Sequence, residues 1–407
     1  MVLRVHLSVC LFVIVLMFSG MLGLERRGTK DPDLEETVQL TATEFEEMVE
    51  LTATELEESA WDDTSRTSLL ERDILNVHTL GERVSDWDDQ RVAYAAKNVN
   101  SGSRHFDGKR RVNVMLVSGS QPMPCDKPKG DFFILKTLKN KVDYCSLHSI
   151  DIFYNMAQLN TRMQKFWSKL PLLHTLMLSH PDVEWFWWMD SDAFFTDMKF
   201  ELPIEKYANY NMVVHGWYKD VYEDKNWVGL NTGSFLIRNC QWSLDLLDAW
   251  APYGQSGKAQ VAAGRLFANY LHGRLAFEGD DQSALVYLLI SQRQKWAEKT
   301  FLESTYFLHG YWVILVDDFE KMMERYHPGL GDERWPFVTH FVGCKPCHGN
   351  YGSYPMDRCA KQMERAFNFA DNQVLQTYGY VHPNLSTHSV EVDTPKATNV
   401  GREKVRG

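Results

Sequence analysis

The sequence predicts an α/β fold, with apolar strands alternating with helices around a sheet. Three observations carry that reading. Between residues 111 and 292, short apolar runs alternate with longer stretches that read as helices. Apolar residues make up 44% of the 407 and aromatics 13%, enough to bury a full core, which excludes disordered, collagen-like and coiled-coil classes. The aromatic run Trp185–Met189 stops at Asp190-Ser191-Asp192, so a hydrophobic strand delivers two acids to its end.

In chain order, Leu7–Leu24 is an 18-residue run without charge. That is about the minimum of the roughly 17–25 residues that cross a bilayer. Arg4 precedes it and Arg26, Arg27 and Lys30 follow, so flanking charge does not orient it. A signal anchor over residues 1–24 is the preferred reading, and a cleaved signal peptide competes with it. Either way the bulk of the chain enters the secretory lumen. Residues 25–105 read as an acidic stem. Between Asp31 and Asp63 there are 13 acids and no Lys or Arg, which outweighs the net charge of -11 and leaves the remainder close to neutral. The overall balance argues against nucleic acid as a partner. Within the stem, LTATEFEEMVE from Leu40 is followed by LTATELEESAW from Leu51. The 11-residue period with Thr-x-x-Glu spacing suggests a capped helix acting as an acidic spacer.

Residues 106–390 form the expected folded α/β domain, and 391–407 a flexible polar tail. Arg111–Gly119 reads as a buried strand opening into a Ser/Gly/Pro loop, and Ser149–Met156 as a second strand. Phe166–Ser179 reads as a helix and Val183–Met189 as a third strand. Met212–Gly216 and Ser234–Ile237 read as further strands, Gln241–Trp250 and Gln282–Gln292 as helices. Outside the apolar run, six cysteines remain: Cys125, Cys145, Cys240, Cys344, Cys347 and Cys359. An even luminal number permits disulfides, but spacing does not fix their pairing. A zinc site from Cys344, Cys347 and Cys359 with His340 and His348 is the alternative; it lacks a second close cysteine pair. Asn384-Leu385-Ser386 is a glycosylation sequon.

Four segments carry chemistry. In Asp190-Ser191-Asp192, residues i and i+2 of an extended chain point to one side, so both carboxylates are expected to project together from the strand end. Open α/β sheets place ligands there. Hard oxygen donors suit Mg²⁺ or Mn²⁺ bridging phosphates. No GxxxxGK phosphate loop is present, which argues against an NTPase. Gly229–Ser234 is a small-residue turn feeding a strand, and the Asn231 amide could donate to sugar hydroxyls. Glu278-Gly279-Asp280-Asp281-Gln282 precedes a helix. Its acids are either caps or neighbours of a sugar that develops positive charge. His340 and Lys345 share a Gly/Pro-rich loop, which could bring an imidazole to a metal and an ammonium to a phosphate.

Together these segments resemble plant glycosyltransferase family 34. The resemblance rests on WFWWMDSDAFFTDM, GLNTGSFLIRNCQWSLDLLDAWAPYG, DDQSALVYLL, HGYWVILVD, RWPFVTHFVGCKPC and RAFNFADNQVLQTYG, in order from about Arg111 to His388. It implies a GT-A fold, a Rossmann-like sheet binding a nucleotide sugar, and a type II protein of the Golgi membrane with its catalytic domain in the lumen. Within the family, HFVGCKPC is similar to the branch that adds xylose to the 6-hydroxyl of glucose in a β-1,4-glucan from UDP-xylose. ERAFNFADNQVL and the HPNL near His382 are also similar to the galactomannan branch, which uses UDP-galactose. A weakly active scaffold subunit of a Golgi polysaccharide complex is the third possibility. The resemblance implies Mn²⁺ (or Mg²⁺) on Asp190, Asp192 and His340, and the diphosphate on Gly343 and Lys345. It implies a nucleotide site lined by Ser118, Gly119, Lys169, Asp190 and Ser191. Asp280, Asp281 and Gln282 would lie beside the transferred sugar. An acceptor glucan and a homo- or hetero-oligomer with related transferases are the expected partners. Retention of configuration is implied, and Gln282, an uncharged amide, is a poor nucleophile. Front-face attack is therefore expected.

Overall fold

The computed structural model describes residues 80–98, 105–106, 109–110, 112–163, 165–347 and 353–393. The expected membrane anchor, the acidic repeat and the tail from residue 394 lie outside the described residues. Among the described residues no helix is long and apolar enough to cross a membrane.

The five expected strands and a sixth that was not expected, Thr300–Glu303, form a mixed sheet. Its members are β1 (Val114–Gly119), β2 (Asp151–Asn155), β3 (Trp185–Met189), β5 (Met212–Gly216), β6 (Leu230–Arg238) and β7 (Thr300–Glu303), in the order β2-β1-β3-β6-β5-β7. β1 runs parallel to β2 and β3, while β6 is antiparallel to both β3 and β5. Central β3 (WFWWM) is buried at all five positions, so it reads as a continuous apolar run with no polar face.

The period of two sorts its side chains between two cores. Phe186 and Trp188 join Met115, Val117, Val214 and Phe235 on one face. That face is covered by α3 (Lys169–Ser179), α4 (Gln241–Trp250), α5 (Lys258–Tyr270) and α6 (Asp281–Ser291). Trp185, Trp187 and Met189 join Leu116, Val213 and Leu236 on the other face. There they meet Tyr144 of α2 (Pro128–His148) and β4 (Ala193–Phe195). α2 has Pro at its first helical position and ends at Ser149 in a left-handed conformation, φ 53°. The long helix α7 (Met356–Leu375) packs beside it over a third core containing Phe133, Trp312 and Phe369. Neither α2, α5 nor α7 was expected from the sequence.

A second sheet, in the order β8-β9-β4, joins β8 (Gly310–Tyr311), β9 (Val338–His340) and β4. β9 is antiparallel to β4 with His340 opposite Ala193. This small sheet brings residue 340 to residue 192.

Three sequence expectations are corrected. Helix α1 (Trp87–Lys97), assigned to the stem, packs on the domain: Trp87 is buried and its indole N–H donates to Asn239 Oδ1 (2.8 Å). Arg91 donates to the carbonyls of Pro181 and Val183. The zinc reading fails because Cys125 pairs with Cys347 and Cys344 with Cys359, leaving no thiolate in that loop. Cys145 and Cys240 are free. The start of the tail is ordered, since residues 391–392 pair with 380–381.

Candidate functional site

The site is built where β3 ends. The chain leaves β3 at Met189, turns through residues 190–192 and re-enters β4 at Ala193. The acids therefore converge through a turn, closed by Ala193 N–H on the Asp190 carbonyl (3.3 Å), and not along one extended strand as expected. Asp190 N–H donates to Gly233 O (2.7 Å) and Phe341 N–H to Asp192 O (3.0 Å), so the turn is held by both sheets.

Asp190, Asp192 and His340 each offer one ligand atom, and these atoms all lie within 4.8 Å of one another. His340 Nε2 is 3.1 Å from Asp192 Oδ1 and 3.9 Å from Asp190 Oδ2. Burial opposes the imidazolium, but Asp192 outweighs it and holds the His340 pKa above its ordinary value. Burial likewise works against the Asp192 carboxylate, and His340 outweighs it, so that pKa is lowered. His340 fits because residue 233 is glycine: a Cβ there would lie 2.1 Å from His340 Cε1. Two carboxylates and an imidazole with no thiolate fit a hard or borderline divalent ion such as Mg²⁺ or Mn²⁺. His340 Nδ1 is buried with no hydrogen-bond partner.

Lys169 was expected to reach the nucleotide, and the structure commits it elsewhere. It is 1% exposed, and its three donors go to Thr232 O (3.0 Å), Asp281 Oδ2 (2.8 Å) and Asp190 Oδ1 (3.3 Å). Burial opposes its charge, but Asp190 and Asp281 outweigh it and raise its pKa. Asp281 also accepts from Thr232 Oγ1 (2.8 Å). Its pKa is raised by burial, with Lys169 opposing. Lys169 thus joins the metal-type cluster to the start of α6.

The other residues fall into place around this core. Asp280 is the N-cap of α6: it accepts from Ser283 N–H (2.7 Å) and pairs with Arg274 (2.9 Å). Gln282 accepts from Asn231 Nδ2 (3.0 Å) and donates to Trp227 O (3.0 Å). The Asn231 amide is therefore engaged in orienting Gln282, and its Oδ1 accepts from Gly233 N–H (2.8 Å). Ser118 and Gly119 end β1, beside β3, and Ser118 Oγ is buried without a partner. Ser191 lies within the turn. Gly343 adopts φ +85°, and the exposed Lys345 follows it on the turn after β9.

Sequence reasoning missed four contributors. Trp188 donates to Asp190 Oδ1 (2.6 Å), and Thr232 serves Asp281. Arg274 ties the loop before α6 through Gly264 O, Leu275 O and Glu278 O. Lys141 of α2 is fully buried and donates to Ala193 O (2.7 Å). Burial pushes its ammonium down to about 7, against the pull of Asp192 and Asp190. Trp188, two residues before Asp190, and Thr232, within the Gly229–Ser234 turn, had a local signal; Arg274 and Lys141 had none.

Residues 110–350 match the model of the galactosyl transferase GMA12/MNN10 family, glycosyltransferase family 34. This chain belongs to that family. Xyloglucan 6-xylosyltransferase 2 of Arabidopsis thaliana is 59% identical over 314 residues, 77% of this chain and 68% of the relative. Probable xyloglucan 6-xylosyltransferase 1 of Oryza sativa subsp. indica is 58% identical over 314 residues, 77% and 69% respectively. A solved glycosyltransferase involved in the glycosylation of the major capsid of PBCV-1 aligns at a TM-score of 0.39 and 14% identity, over 62% of this chain and 98% of that one. Membership makes the chain a glycosyltransferase, and every predicted site residue lies within the family match.

Proposed function

We propose that the chain transfers xylose from UDP-xylose to the 6-hydroxyl of a glucose in a β-1,4-glucan, with retention, as a GT-A enzyme dependent on Mn²⁺. One observation carries this reading. A three-ligand cluster (Asp190, Asp192, His340) is joined through Lys169 to the α6 start, where Asn231 orients Gln282. The names of the relatives support xylose and xyloglucan. The mixed sheet, with its polar cluster at the carboxyl end of β3, supports the GT-A assignment.

A divalent ion held by Asp190, Asp192 and His340 would supply Lewis-acid stabilisation of the departing diphosphate. Lys345, on the turn that Gly343 opens, adds positive charge for the same group. The Gln282 carbonyl keeps a second lone pair beyond its bond from Asn231 and turns that dipole towards the cation developing at the sugar. The acceptor oxygen bonds to C1 from the face that the phosphate leaves. The C1–O bond to phosphate breaks, and the acceptor proton passes to the leaving phosphate oxygen. Asp281, already paired with Lys169 and Thr232, acts as a fixed charge and not as the nucleophile. The proposal includes a single-pass type II anchor in the Golgi membrane, supported by the uncharged run Leu7–Leu24, and assembly with related transferases.

The test is transfer to cellohexaose with Mn²⁺ and either UDP-xylose or UDP-galactose, read by product mass. A pentose added and lost with chelator is expected. A hexose added, or activity only on mannan oligomers, would move the chain to galactosyl transfer. Silence with both donors alongside UDP binding would favour a scaffold subunit.

A further inference from the structure

Among the described residues no strand lies beside the outer edge of β4, and α2 covers it with side chains. Asn140 takes both backbone groups of Phe195, donating to its carbonyl (2.8 Å) and accepting from its N–H (2.7 Å). Lys141, the next residue, takes Ala193 O (2.7 Å). Among the described residues this is the hydrogen bond that its ammonium makes. A neutral amide would satisfy a carbonyl equally well, as Asn140 shows one residue away. Burying an ammonium for one neutral acceptor is unfavourable unless other charge compensates. Its partner carbonyl belongs to the residue directly after Asp192, so the buried ammonium sits against the end of the metal turn, and the carboxylates of Asp192 and Asp190 favour its charged form. Lys169 grips the first residue of that turn and Lys141 the carbonyl that follows its last.

We propose that Lys141 is an internal counter-ion of the metal turn, a positioning residue whose charge balances Asp190 and Asp192 when no divalent ion is held and opposes the ion when one is. The inference rests on the metal reading above. Two positive charges share one carboxylate pair, so ion binding and the Lys141 charge are coupled with a negative sign. The turn is thereby kept folded between turnovers, and the ion is held less tightly than the three ligands alone would hold it.

The test uses the full chain, loaded with Mn²⁺ below neutral pH, as wild type, Lys141→Gln and Lys141→Met. Free Mn²⁺ is followed by its electron paramagnetic resonance signal during chelator titration, a readout independent of transfer and usable even if a variant folds only when loaded. Both variants are expected to hold Mn²⁺ about tenfold more tightly than wild type. Their metal-free melting temperatures are expected to fall, with added Mn²⁺ restoring more than it does in wild type. Gln and Met should agree, because both remove the charge and only Met removes the donor. Equal or weaker Mn²⁺ retention in both variants overturns the counter-ion role, as does an effect confined to Met, which would leave a hydrogen-bond clamp. Failure of the wild type to hold Mn²⁺ would instead overturn the metal reading itself.

Discussion

Among the described residues, two of the buried polar clusters differ in how their charge is completed. One ties α2, α7 and the C-terminal segment together. There Asp371 gives one oxygen to Lys139 (2.6 Å) and the other to His382 Nε2 (3.0 Å). His382 Nδ1 meets Ser389 O (3.0 Å), and Glu364 meets both Lys136 (2.5 Å) and His388 (2.8 Å). Each charged group is answered within the chain. The other cluster is the site. There Asp190 and Asp281 meet Lys169, Asp192 meets His340, Lys141 holds the carbonyl after Asp192, and His340 Nδ1 and Ser118 Oγ are buried without partners. Satisfied clusters hold a fold, whereas a cluster whose groups await something marks a ligand site.

Breaking the site from inside has the largest expected effect. Lys169→Met leaves Asp281 and Asp190 without their buried cation, and removing one partner of such a pair costs about 3–5 kcal/mol. Denaturant unfolding should show that loss, and Asp281→Asn added to it should recover most of the stability but not the transfer activity. Next, Asp192→Asn keeps the shape of the turn and removes one ligand. Transfer should fall on the order of a hundredfold or more while the melting temperature moves by only a few degrees. If the transfer rate survived, the site would not be the one that awaits an ion. Smaller still, Gly233→Ala places a methyl where the His340 ring sits. Mn²⁺ affinity should weaken about tenfold, with UDP affinity in the absence of metal unchanged; calorimetry would separate the two.

The contrast also explains what was legible in the sequence. Five of the six strands of the main sheet were, because runs such as β1, β3 and β6 are apolar and bounded by polar turns. The candidate cluster was legible in two parts: Asp190 and Asp192 through their spacing at a strand end, and His340 through the family resemblance, since it lies 148 residues from Asp192. Lys141 and Arg274 were not. Each sits in an ordinary helix or loop, where a basic residue reads as solvent-facing, and only the tertiary fold buries it against acids distant in sequence. The contact between the Asn231 amide and Gln282 was hidden for the same reason: the two are 51 residues apart. Helix α7 escaped because charged and amide residues along it, such as Glu364, Arg365 and Asp371, look like a solvated surface. All three are buried, Glu364 and Asp371 in the satisfied cluster and Arg365 against Asp317 and Glu320.

That satisfied cluster supplies the smallest effect and the cleanest control. Asp371 has its pKa lowered: burial pushes it up, but His382 and Lys139 outweigh burial. A carboxylate whose pKa is depressed on folding contributes stability that is fully present above its unfolded value, about 3.9. That stability is lost as pH falls through the lower folded value. Asp371→Asn removes the contribution, so the variant should be less stable than wild type near neutrality by about 1–3 kcal/mol. The gap should persist down to about pH 4 and close below it, as equilibrium unfolding at a series of pH values would show. Transfer activity and Mn²⁺ affinity should match wild type throughout, because Asp371 touches neither the metal turn nor the start of α6. A variant that lost Mn²⁺ affinity together with stability would mean that the two clusters are coupled, and that the completed one also holds the ligand site in place.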